Sequence, residues 1–102
     1  MIKVIIGRAS NNQINFLEIK GHANSAPHGE DLICAAVSSI ITGGINAIKN
    51  PDNFILKLDE GYSLIESKSS ISKDDEVVLE TIETQLKTIE ESYPKFIKIT
   101  IQ

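Results

Sequence analysis

The chain has 102 residues, 41% of them hydrophobic and 24% charged, with a formal net charge of −4. That length gives room for one domain, spanning residues 1–102, and the mix is that of a globular chain rather than a disordered one. The acidic balance argues against direct nucleic-acid binding, which needs clustered Lys and Arg to neutralise phosphate.

The first stretch, Ile2 to Arg8, is rich in β-branched residues and predicts a strand. Its apolar run is too short for a signal peptide, and no run elsewhere reaches membrane length, so a cytoplasmic protein with no membrane partner is expected. Turn chemistry at Ser10 to Gln13 leads into Ile14 to Gly21, a second strand that completes a hairpin. From Asp31 the period changes, and Ile33, Val37, Ile40, Ile41, Gly44, Ile45 and Ile48 recur at helical steps. Gly43 and Gly44 either allow close packing on the sheet or mark an early helix end, and Lys49 to Asn53 stops the helix in any case.

A second hairpin turns at Asp59-Glu60-Gly61. Ser72 and an acidic first turn then open a second helix, whose apolar stripe is Val78, Ile82, Leu86, Ile89 and Tyr93. Pro94 ends it, and the alternation that follows is a final strand. The ββαββαβ order predicts an α+β fold, an antiparallel or mixed sheet with two helices packed on one face. One arrangement puts a second copy of the chain over the other face, with Ile5, Leu17, Ile19, Ile97 and Ile99 on that side.

Reactive chemistry is concentrated between Gly21 and Ser38, which hold both histidines and the single cysteine. That lone thiol excludes an internal disulfide and fits a reducing compartment. Asp31 is a strong N-cap residue, which puts Cys34 in the first turn of the helix. There the positive end of the helix dipole and the unpaired N–H groups favour thiolate, the form that attacks. The same N–H groups could hold an oxyanion.

A nucleophile of this kind wants a base. His22 follows a strand end and His28 sits mid-loop, so preorganisation favours His22. Plainer roles are available to each residue: Cys34 as a small hydrophobe, Asp31 as a cap, Glu30 as a surface charge near the helix start, and Gly21 and Gly29 as turn formers. Ser38, one turn beyond Cys34, either touches it or bonds back to its own helix. His22, His28 and Cys34 with Asp31 or Glu30 could make a zinc site, but there is no Cys-x-x-Cys pair and no His-x-x-x-His, so no metal or cofactor is expected.

"GHA" at Gly21 to Ala23 and "GEDLICAAVS" at Gly29 to Ser38 resemble the signature of the ribosomal-processing cysteine proteases, the Prp family. The resemblance extends over nearly the whole chain and includes "LKTIEESYPKFIKI" near its end. It implies a cysteine endopeptidase with a dyad of Cys34 as nucleophile and His22 as base, and with Asp31 as an active-site acid that orients the histidine, caps the helix, or does both. Gly21, Gly29 and Ser38, within the same motifs, are taken as supporting residues. It also implies a homodimer whose peptide substrate is the N-terminal extension of a large-subunit ribosomal protein precursor. No role is implied for His28. Loop 23–29 is expected to close over the peptide. The rival is a non-catalytic ribosome-associated or protein-interaction domain in which Cys34 is structural.

Overall fold

The expected hairpin forms from β1 (Ile2–Arg8) and β2 (Ile14–Lys20), and α1 (Leu32–Ala47) follows. Next come β3 (Phe54–Asp59), β4 (Tyr62–Ser67), α2 (Lys73–Ser92) and β5 (Ile97–Ile101), with a 3-10 turn at Pro51–Asn53 ahead of β3. This computed structural model describes residues 1–27 and 30–102. The strands make one mixed sheet in the order β3-β4-β2-β1-β5, antiparallel except for β5, which runs parallel to β1. It is the α+β fold that the element order predicts, with both helices on one face. Among the described residues no helix is long and apolar enough to cross a membrane.

Register decides which residues are buried. Val4 lies opposite Ile19 and Ile99, Ile6 opposite Leu17, and Ile2 opposite Ile97, so these side chains share one face. That face packs under the helices with Ile33, Val37 and Ile41 of α1 and Leu79, Ile82 and Leu86 of α2. Leu17, Ile19, Ile97 and Ile99 therefore point into the core, and of the residues expected on the opposite face only Ile5 is there. The period-two alternation of each strand was plain, but which face met the helices depended on pairing that no local pattern encodes.

Each helix begins at its expected cap. The Asp31 carboxylate receives the N–H groups of Ile33 and Cys34, and the Ser72 hydroxyl receives that of Asp75. α1 runs through both glycines. Gly43 is exposed, whereas a Cβ on Gly44 would collide with the Ile82 side chain, so the close approach it permits is to α2 and not to the sheet. Tyr93, assigned to the apolar stripe of α2, is instead half exposed at the helix end.

Asp75 joins the end of α1 to the start of α2. It is fully buried and accepts hydrogen bonds from the backbone of Lys49 at 2.6 Å, the backbone of Asn50 at 3.1 Å and the Asn50 side chain at 2.9 Å. Burial pushes its carboxyl up, and these bonds more than offset it, leaving the group below its ordinary value. Asp75→Ala removes every acceptor at once and strands two backbone donors. The expected loss is about 2–4 kcal/mol, read from the urea midpoint at unchanged slope.

Candidate active site

β2 ends at a point where only glycine fits. Gly21 has φ +94°, and a Cβ there would stand 2.6 Å from the Met1 carbonyl oxygen. Its N–H donates to the Gly61 carbonyl at 3.0 Å, which ties the strand end to the β3–β4 turn. His22 emerges there with its side chain exposed, and Ala23 drops directly into the core. A buried methyl next to an exposed imidazole anchors the backbone while leaving the ring accessible.

From that anchored position the Ala23 N–H donates to the Cys34 sulfur at 3.3 Å. The strand end and the helix start are thus joined through the thiol itself. Cys34 is half-buried and lines a groove of about 680 Å³ that His22, Asp31 and Ser38 also line. One wall is α1. The other is the β3–β4 hairpin, where Leu58, Gly61 and Ser63 face the opening. A cleft of this size can enclose several side chains of an extended peptide.

Asp31 is committed to the scaffold. One of its oxygens accepts from the Ser25 hydroxyl at 2.6 Å and from the N–H groups of Ile33 and Cys34, each at 3.0 Å. The other accepts the Ser25 N–H at 2.9 Å. The Ser25 hydroxyl, then the Cys34 N–H, hold this carboxyl well below the usual carboxylate range, and together with the Ser25 and Ile33 N–H groups they outweigh the opposing effect of desolvation. None of these four bonds comes from His22.

The arrangement narrows the expectation that helix-start N–H groups stand ready for an oxyanion, because those of Ile33 and Cys34 already donate to Asp31. The Ala23 N–H is the backbone donor beside the sulfur instead. Ser38 is exposed on the groove wall, and among the described residues its hydroxyl bonds neither to Cys34 nor back to its own helix. Gly29 and His28 lie outside the described residues. Of the loop expected to act as a lid, Ala23 is buried and Ser25 is doubly bonded to Asp31, so its first part is fastened to the helix start. Among the described residues no group of three or more His, Cys, Asp and Glu side chains could hold a metal ion.

Ser25 and Gly61 were missed by sequence reasoning. Ser25 carried a usable signal, since an Asn-Ser pair just before a capped helix invites side-chain to backbone bonding, and Asn24 does adopt a positive φ of 57°. Gly61 carried none toward His22, because the two meet only through the fold.

A capping role for Asp31 predicts a graded mutational series. Asp31→Asn keeps an oxygen for the helix N–H groups, so turnover is expected to stay within about tenfold, since Asn caps about as well as Asp. Asp31→Ala releases both Ser25 and the helix start, and turnover falls on the order of a hundredfold as the groups around the sulfur drift. A depressed carboxyl adds stability above its unfolded value of about 3.9 and loses it as pH falls through the lower folded value. The Tm deficit of Asp31→Ala is therefore full near neutral pH and shrinks below about pH 4. A large loss of turnover in Asp31→Asn at unchanged Tm would instead point to a direct role on the histidine.

The chain matches a family model described as cysteine protease Prp over residues 1–98. It is 32% identical over 108 residues to the ribosomal processing cysteine protease Prp of Bacillus subtilis, covering 98% of this chain and 96% of the relative. To the protein of the same name from Mycoplasma genitalium it is 36% identical over 104 residues, covering 97% and 94%. A crystal structure of the essential ribosomal processing protease Prp from S. aureus, in complex with a covalently linked product peptide, superposes with a TM-score of 0.91 at 27% identity and full coverage of both chains.

Proposed function

This chain belongs to the cysteine protease Prp family, and on that premise we propose that Cys34 and His22 are its nucleophile and base, acting on the N-terminal extension of a large-subunit ribosomal protein. The observation that carries the assignment is the 3.3 Å bond from the Ala23 N–H to the Cys34 sulfur. It holds the thiol, on an open groove wall, against the strand end that bears His22.

The chemistry is acyl transfer. His22 takes the thiol proton and Cys34 attacks the scissile carbonyl carbon, forming a C–S bond. The Ala23 N–H, which donates to the sulfur at rest, leaves it as the C–S bond forms and donates to the oxyanion that develops on the adjacent carbonyl oxygen. The imidazolium then protonates the leaving amine as the C–N bond breaks. A water molecule, deprotonated by His22, hydrolyses the thioester and restores the thiol. Asp31 takes no proton in this sequence; it fixes the helix start and, through Ser25, the loop that carries Ala23. The covalently linked product peptide in the S. aureus relative supports an intermediate of this type.

A ribosomal protein substrate puts this activity in the cytoplasm, and homodimerisation belongs to the same proposal, readable by sedimentation. The function is tested by incubating the purified protein with precursor large-subunit ribosomal proteins and weighing the products. One cut that releases a short N-terminal segment is expected. A precursor left whole, under conditions in which the B. subtilis relative cleaves its own substrate, would overturn the substrate assignment.

A further inference from the structure

The β3–β4 turn is far from the dyad in sequence, yet it touches the histidine. Gly61 has φ +74°, and its carbonyl accepts the Gly21 N–H at 3.0 Å, one residue before His22. A Cβ built on Gly61 would stand 2.9 Å from His22 Nε2 and 3.3 Å from Cε1. Real Cβ atoms do not approach other heavy atoms so closely, so the imidazole occupies the space that a side chain on Gly61 would claim.

We infer that Gly61 is a positioning residue for His22: the turn holds the strand end by its carbonyl and, by lacking a side chain, lets the imidazole lie against it on the groove side. The inference rests on the reading of His22 as the base and adds a determinant from the second half of the chain. The physical asymmetry is informative. Met1 presents rigid backbone to Gly21, but Gly61 faces the free end of an exposed side chain. A Cβ at Gly61 therefore displaces the imidazole cheaply, so the steric cost falls on catalysis, while the strain of a side chain at positive φ falls separately on the fold.

Backbone strain at positive φ must be separated from displacement of the ring. Gly61→Asn does this, because Asn tolerates the left-handed region better than other side-chain-bearing residues while still adding the Cβ. Gly61→Ala adds the Cβ with the full strain. Both variants are expected to lose turnover on the order of a hundredfold, chiefly in kcat, although Asn lowers Tm less than Ala. In a His22→Ala background, Gly61→Asn is expected to cost no further turnover, since the two act through the same group.

A readout independent of catalysis is the nuclear Overhauser effect between His22 ring protons and the Gly61 α protons, expected in the unsubstituted protein and weakened in Gly61→Asn. Near-normal kcat in Gly61→Asn, a full additional loss in the His22→Ala background, or no such effect in the unsubstituted protein would each overturn the inference. Full activity of His22→Ala alone would defeat the base assignment instead, and the ring-to-turn contact would still report on the packing.

Discussion

Cys34→Ala is expected to abolish peptide cleavage while leaving the fold intact. Cys34 sits in the first turn of α1, where Ala is an even better helix former, and its own N–H still reaches Asp31. The substitution removes a single sulfur atom, half-buried against one N–H donor, so stability changes little. Turnover falls by about 10⁶-fold, the scale on which removal of a covalent nucleophile acts. Cys34→Ser is expected to fall comparably, because a hydroxyl at this position lacks the thiol's acidity. The pair is checked by cleavage rate and thermal melting on the same samples. Turnover within tenfold of normal in either variant would move the nucleophile elsewhere.

His22→Ala carries the second large effect, an expected loss of about 10⁴-fold in kcat with a Tm close to normal. The side chain is exposed, so its removal leaves no cavity, and the backbone around it is held independently. Gly21 is tied to Gly61, and Ala23 is buried. His28→Ala is expected to change turnover only modestly, since preorganisation at a strand end belongs to His22. Parallel rate measurements on the two variants decide between them. The reverse order of effects would make His28 the base.

Much of this architecture was legible in the residues. The switch from period two to period 3.6 at Asp31 located α1 with its cap, and Ser72 with its acidic turn located the start of α2. Asp31 and Cys34 could be put at a helix start from local chemistry alone. What depended on long-range pairing could not. β5 joins the sheet parallel to β1, and that pairing turns Ile97 and Ile99 toward the helices. The occupation of the Ile33 and Cys34 N–H groups was hidden for another reason: one carboxylate serves as cap and as Ser25 acceptor together, and nothing in the spacing excludes an unoccupied N–H. The Gly61 contact to His22 arises only when the two hairpins lie side by side through the β2–β4 pairing.

The claim that Cys34 attacks a peptide carbonyl is most directly tested by catching the thioester. Protein and a peptide substrate are mixed and quenched in acid while turnover is under way, and the intact mass of the protein is measured. A population heavier by the N-terminal fragment of the peptide less one water is expected, located on Cys34 by fragment masses and absent from Cys34→Ala. Brisk cleavage with no adduct, undiminished after Cys34 has been alkylated, would contradict it.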